Sequence, residues 1–125
     1  METWNFRGWD ATGQKGWVYS DLVHNKKVTK TGLEDRVMVG GYEVAPESVG
    51  ICLNAEDNYG HTLYEGDICL ITMYGQSMIA YIFFNETMCQ FMLSAKHWAG
   101  PLYFTQTCEK KGTMYENNDL LKRYD

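Results

Sequence analysis

The sequence predicts a mainly β protein, with β-hairpins in its N-terminal part, a β-meander in its C-terminal part and one short C-terminal helix. Three observations predict it. Aromatic residues make up 14% of the chain, nine Tyr, four Trp and five Phe; rings pack well across neighbouring strands, and the good helix formers Leu and Ala are scarce. Asn58-Tyr59-Gly60 tolerates positive φ, and Gly66 stands two residues before the apolar run Ile68-Cys69-Leu70-Ile71, so between Asn58 and Ile71 the chain turns, crosses over and enters a sheet. Three strand-forming stretches then follow in succession, Asp67 to Tyr74, Ser77 to Asn85 and Thr87 to Ser94, separated only by Gly75-Gln76 and Asn85-Glu86.

In chain order, Trp4 to Trp9 alternates aromatic residues with Asn5, Arg7 and Gly8, a first strand that ends at Asp10. Thr12 to Gly16 is the turn of a hairpin whose second strand is Trp17 to Val23. Lys26 to Asp35 reads as a polar, mobile connection. Arg36 to Val39 is a brief strand closed by Gly40-Gly41, and Tyr42 to Val44 extends until Pro46 interrupts any ladder. Glu47 to Asn54 puts Val49, Ile51 and Leu53 on one face of a half-buried strand. The first two meander strands are apolar almost throughout, where a sheet with one wet face would alternate. Both faces are therefore expected to be covered, by the N-terminal hairpins or by a second copy of the chain, and a homo-oligomer is expected. Lys96 to Pro101 breaks the sheet, Leu102 to Thr107 adds a strand, and Glu109 to Gly112 reads as a polar turn. Asn117 is placed to cap a helix with Asp119 in its first turn, Lys122 and Arg123 in its last, and Leu120 and Leu121 as anchors.

Composition bounds the function. The 125 residues fit a single domain, long enough to bury a core without disulfides or a structural metal. The N-terminus has no basic stretch followed by an apolar one and no window approaches a spanning helix, so a cytoplasmic protein with no membrane association is expected. Cysteines 52, 69, 89 and 108 lie far apart beside apolar runs, none in a Cys-x-x-Cys pair, and are expected to be buried reduced thiols. A net charge of −5 opposes tight non-specific binding to nucleic acid. The one basic cluster, His24 to Lys30 with Lys26, Lys27 and Lys30, reads as a solvated loop before a phosphate-binding surface.

Candidate chemistry is sparse. Tyr64-Glu65-Gly66-Asp67 holds two carboxylates at i and i+2, the spacing of an acid/base pair or a divalent-cation site. Gly66 between them favours a tight bend instead, with Asp67 bonding local backbone N–H groups and Glu65 solvated or paired with Arg7 or Arg36. His24, His61 and His97 lack metal-motif companions, and no nucleophile elbow or Gly-rich phosphate loop is present. Cys89 or Cys108 with His97 is weighed as a nucleophile pair and set below inert buried thiols. No catalytic residue, metal site or cofactor is expected. The aromatic set Trp4, Trp9, Trp17, Trp98, Tyr19, Tyr42, Tyr59 and Tyr64 is expected to be mostly core, with an exposed minority beside Arg7, Lys26 or Arg36 able to stack a base or anchor a protein.

Four stretches carry a resemblance: Phe6-Arg7-Gly8-Trp9-Asp10, then Val49-Gly50, then Gly60 to Ile68 with Leu63-Tyr64-Glu65-Gly66-Asp67 at its centre, then Gly112-Thr113-Met114-Tyr115-Glu116-Asn117 with Leu120. In order and spacing the chain resembles the YopX-like family of phage and prophage proteins. It departs from the family pattern at Cys52-Leu53-Asn54, at Thr113 and at Asn118. The resemblance implies a mostly β fold with a small pseudo-barrel, here N-terminal hairpins over 1–46 packed on a barrel-like part over 47–125, an origin in mobile genetic elements and a bacterial host cell. It supplies no catalytic residues. The expected function is a non-enzymatic accessory protein that binds a host or phage protein, with nucleotide binding or sequestration as the alternative and nucleic-acid binding third. The weak candidate binding residues are Arg7, Trp9, Lys26, Lys27, Lys30, Tyr64, Glu65 and Asp67.

Overall fold

The computed structural model describes residues 5–73, 75–96, 98–101, 107–117 and 119–120. The chain is mainly β and divides between Cys52 and Leu53 into two compact units. In the first, β1 (Phe6–Trp9) pairs antiparallel with β2 (Trp17–Ser20), with Trp9 opposite Trp17 at the loop end. Their rings meet edge to face at 5.3 Å, which closes the hairpin with aromatic contact. Asp10 organises the intervening loop, its carboxylate accepting from Thr12 N–H, Thr12 Oγ1 and Lys15 N–H at 2.9 to 3.1 Å. The bond from the Thr12 backbone, with those from Lys15 and the Thr12 hydroxyl, outweighs burial and holds its pKa below the ordinary Asp value.

A second sheet in this unit has the order β3 (Leu22–Thr29), β4 (Gly32–Val39), β5 (Tyr42–Val44). Gly40 and Gly41 take φ of 60° and 83°, the double positive φ that a two-residue hairpin loop demands. The segment around Val44 reaches β1 through the bonds Ala45 N–H to Trp9 O and Ala11 N–H to Glu43 O, both 2.9 Å. Val44 lies so close that a Cβ on Gly8 would sit 2.9 Å from it, the reason this strand position carries glycine. A 3₁₀ turn at Pro46–Ser48 follows, in which Ser48 Oγ accepts from Trp9 N–H at 2.7 Å and donates to Ala45 O at 2.6 Å.

The strand β6 (Gly50–Glu56) pairs with β1 at its start, and β7 (Thr62–Tyr64) follows it in the chain. The second unit is built on a five-stranded antiparallel sheet of order β11 (Ala99–Pro101), β10 (Gln90–Ser94), β9 (Gln76–Asn85), β8 (Asp67–Met73), β12 (Thr107–Thr113). Cys69, Ile71, Ala80, Ile82, Leu93 and Cys108 form its core with Leu63, and Leu53, Met78, Phe91, Ala95 and Trp98 pack against them. Ile68, Ile79 and Met92, on the other face, are also buried. The meander thus carries buried side chains on both faces, as its continuous apolar runs predict. Among the described residues no pairing joins its end strands β11 and β12. A single turn of helix, α1 (Met114–Asn117), follows β12, and Leu120, an expected helix anchor, is again helical.

Several boundaries differ from expectation. Residues expected as the His24 to Lys30 loop and the mobile Lys26 to Asp35 connection form the β3–β4 hairpin, with Lys26 opposite Asp35, Lys27 opposite Glu34 and Val28 opposite Leu33. Solvent reaches both faces of this arm, so its strands need no apolar alternation and read as polar chain. The expected strand Trp17 to Val23 divides at Asp21, and that of Glu47 to Asn54 starts only at Gly50, after the proline-led turn. Thr87 to Cys89 belong to a turn in which Cys89 takes a φ of 52°. Glu109 to Gly112 continue β12, because alternate residues of that strand face solvent. The short strand β7 has no counterpart in the sequence pattern, and β11 lies in the Lys96 to Pro101 stretch expected to break the sheet. The helix begins at Met114, before Asn117, and its first turn is capped by Thr113 Oγ1, which accepts from Glu116 N–H at 3.1 Å. The expected contributions of Trp4, of Leu102 to Gln106 and of 121–125 lie outside the described residues.

Candidate functional site

The densest polar cluster lies in the second unit, where the turn after β6 meets β12. The Asp57 side chain is fully buried. Its Oδ1 accepts from the backbone N–H of Tyr59 (2.9 Å) and His61 (2.8 Å), and its Oδ2 accepts from Lys110 N–H (2.8 Å) and faces His61 Nδ1 at 3.0 Å. Burial opposes the charge, but these bonds, Lys110 and His61 foremost, outweigh it and hold the pKa at about 2. Asn58 completes the junction, its Oδ1 accepting from Cys108 N–H at 2.6 Å while its own N–H donates to Cys108 O at 3.0 Å. The turn is thereby stitched to a strand some fifty positions away.

The Tyr64-Glu65-Gly66-Asp67 block is the neighbouring turn. Asp67 is fully buried; its Oδ2 accepts from Tyr64 N–H at 2.7 Å and lies 3.4 Å from Lys110 Nζ. The Lys110 ammonium also stands 5.9 Å from the centre of the Tyr64 ring. Gly66 takes a φ of 92°, donates to Ile82 O at 2.8 Å and accepts from Met114 N–H at 2.7 Å. Opposite, Asn117 Oδ1 accepts from Thr113 N–H at 3.2 Å, and its side chain covers Gly112 so closely that a Cβ there would lie 2.5 Å from it. The β8–β12 ladder sets Asp67 against Thr113 and Ile68 against Gly112. The Gly60 to Ile68 and Gly112 to Asn117 blocks of the sequence resemblance are therefore one structural junction.

This arrangement leaves little for catalysis. Asp57 Oδ1 and Oδ2 each accept two bonds, three of the four from the backbone, and Asp67 closes a tight turn and balances a lysine. Glu65 is half-buried at the bend. His61 has Nδ1 turned to Asp57 and a side chain 59% exposed, and the small cavity nearby, about 110 Å³ lined by Asn58, Tyr59, Leu70, Thr72, Thr107, Cys108 and Glu109, does not include it. Among the described residues no three His, Cys, Asp or Glu side chains converge as metal ligands. Cys69 and Cys108 are buried neighbours; the hydrogen bond between their thiols and burial both push Cys69 upward, so it stays protonated. Cys52 is also buried and all four cysteines are free. Cys89, expected to be buried, is exposed on its turn. His97, its suggested companion, lies outside the described residues.

In the first unit Arg7, a sequence candidate for binding, is buried with its guanidinium 4.5 Å from the centre of the Trp17 ring. Trp9 is half-buried against the same ring. Both serve the hairpin core. The arm lysines are on the surface: Lys26 lies 3.8 Å from Asp35, Lys27 bonds both oxygens of Glu43 at 2.9 and 3.0 Å, and Lys30 occupies the β3–β4 turn. Arg36 is taken by Asn25 Oδ1 at 2.6 Å. Of the aromatic set, Tyr19, Tyr42 and Tyr59 are exposed. The structure thus gathers Tyr64 with Asp67, and Arg7 with Trp9 around Trp17, and places the three lysines on the β3–β4 hairpin of the first unit. Sequence reasoning missed Asp57 and Lys110. The Asp57-Asn58-Tyr59-Gly60 run is itself the signal of a side-chain-closed turn, whereas nothing local marks Lys110.

A scan against protein-family models matched none, and no curated protein matched the chain. Among solved structures, the fold is similar to the crystal structure of protein EF1440 from Enterococcus faecalis, with a TM-score of 0.53 over 94% of this chain and 96% of that one. At 16% identity the similarity is one of fold.

Proposed function

We propose that this chain is a non-enzymatic binding protein, an accessory protein of phage or prophage that acts on a host or phage protein in the bacterial cytoplasm. The observation that carries the reading is the division of labour among its polar groups. The carboxylates with chemical potential, Asp57 and Asp67, are committed to backbone turns and to Lys110, while exposed charged and apolar side chains collect on the β3–β4 arm, including Val23, Val28 and Leu33. The phage origin rests on the resemblance of the four sequence stretches.

The test is affinity capture by the immobilised chain from nuclease-treated bacterial lysate. A protein retained in stoichiometric amount over a control resin is the expected result. An eluate with no such protein overturns the reading, and a nucleotide released by heating the eluate would move it to small-molecule sequestration.

A further inference from the structure

The arm presents an unpaired strand edge whose chemistry can be read residue by residue. At the Gly40-Gly41 loop the flanking pair Val39 and Tyr42 is hydrogen-bonded, as the double positive φ requires. Alternation then turns the backbone groups of Val37 and Val39 toward β5 and those of Arg36 and Met38 toward β3. Their partners on β3 are Asn25 and Val23, and by the same alternation Lys27 and Thr29 also bond inward. His24, Lys26 and Val28 therefore direct N–H and C=O away from β4, and among the described residues no strand lies beyond β3. Their side chains share one face with Leu33, Asp35 and Val37 opposite. That face borders a groove of about 430 Å³ floored in part by Pro46.

Charge decides what this edge accepts. Between Leu22 and Val39 stand Lys26, Lys27, Lys30 and Arg36 against Glu34 and Asp35, a cationic arm on a chain of net charge −5. Lys27 and Arg36 are held by Glu43 and Asn25. Lys26 touches Asp35 only at 3.8 Å with both side chains largely in solvent, a tie of little strength. A second copy is a poor occupant: a two-fold antiparallel pairing of β3 with itself centred on residue 26 or 27 sets a lysine directly against its counterpart, and one centred on 25 gathers four lysines within two residues. Nucleic acid fits no better, since Asp35 lies beside Lys26, Lys27 is held by Glu43 and Lys30 stands off the strand in the β3–β4 turn.

We infer that the β3 edge takes up an extended acidic segment of another protein as an added antiparallel strand, with an apolar residue opposite Val28 and carboxylates opposite Lys26 and His24. This rests on the binding reading above and names the chemistry of the partner. Backbone groups of His24, Lys26 and Val28 give the added strand its hydrogen bonds, Val28 with Leu33, 85% and 67% exposed, gives it an apolar contact, and Lys26 selects against a basic segment.

Fluorescence anisotropy of the full chain with a labelled peptide of core Val-Thr-Glu-Thr-Glu tests it, beside the Lys-for-Glu peptide and a single-stranded oligonucleotide. The acidic peptide is expected to bind saturably and the basic peptide not at all. Lys26→Glu should weaken binding about ten-fold. Val28→Pro removes an outward N–H but no bond to β4, so it should abolish binding with the melting temperature kept. A peptide N-methylated at the residue opposite Lys26 should lose binding to the wild-type chain, which serves where a protein variant fails to fold. No peptide binding, equal binding of the basic peptide, binding indifferent to Val28→Pro and N-methylation, or binding of the oligonucleotide alone overturns the inference. A lysate partner retained by Val28→Pro would overturn it while leaving the binding reading standing.

Discussion

At the scale of single residues, Asp57 is the clearest case of a chemical-looking group with an architectural job. Its folded-state pKa is about 2 against an ordinary 3.8, so its bonds contribute stability that is complete above pH 4 and is lost as pH falls through 2. The depression corresponds to about 2 kcal/mol. Asp57→Asn should lower stability by that order at pH 7 and flatten the loss between pH 4 and pH 2, as urea unfolding across that range would read. Gly8 is the steric counterpart: a methyl 2.9 Å from Val44 must displace it, and Gly8→Ala should cost about 1–3 kcal/mol, partly recovered in the double variant with Val44→Ala. Thiol titration gives a third check. One cysteine, Cys89, should react rapidly in the native chain, and the buried Cys52, Cys69 and Cys108 only after denaturation. The bend at Gly66 and Asp67 was legible in the sequence because a glycine just ahead of an apolar run supplies the positive φ that a turn into a strand needs. The exposure of Cys89 was not, since its apolar neighbours are in a turn by virtue of a positive φ that no side chain there announces.

At the scale of elements, β12 is the strand on which the second unit depends. It supplies the N–H groups that Asp57 and Asn58 accept and the ammonium that balances buried Asp67. Lys110→Met should therefore destabilise by about 3 kcal/mol, because the carboxylate it leaves behind stays buried; Lys110→Arg should recover part of that in thermal unfolding. β12 escaped sequence reading for a physical reason. Glu109, Lys110 and Lys111 look like a turn, and only the tertiary partners Asp57 and Asp67, themselves 43 or more positions away from Lys110, stabilise a charged strand there. The arm escaped for the opposite reason: wet on both faces, it needs no apolar pattern. The meander was readable because strands buried on both faces must be apolar throughout, and its order emerged as expected. The turn at Asn58 to Gly60 was readable for its glycine, its stitching to Cys108 was not.

At the scale of the molecule, the two units show where an aromatic, low-helix composition goes. Trp9 and Trp17 close the first hairpin around Arg7, while Trp98, Phe84 and Phe91 serve the second unit's sheet. Ile68, Ile79 and Met92 are already buried in the single chain, so the second apolar face of the meander is in itself no reason for a second copy. The polar groups that sequence alone offers as a site, Tyr64, Glu65 and Asp67, belong to a junction between strands of the second unit, and the surface lysines belong to the first unit. The central claim is that the junction is architecture and the molecule works by binding a protein. Capture from nuclease-treated lysate by wild-type chain and by His61→Ala, which removes an exposed side chain of the junction while leaving the backbone bonds of Asp57 intact, tests it most directly. The same stoichiometric protein partner is expected on both resins. Retention of no protein by either, or loss of the partner from a folded His61→Ala chain, would contradict it.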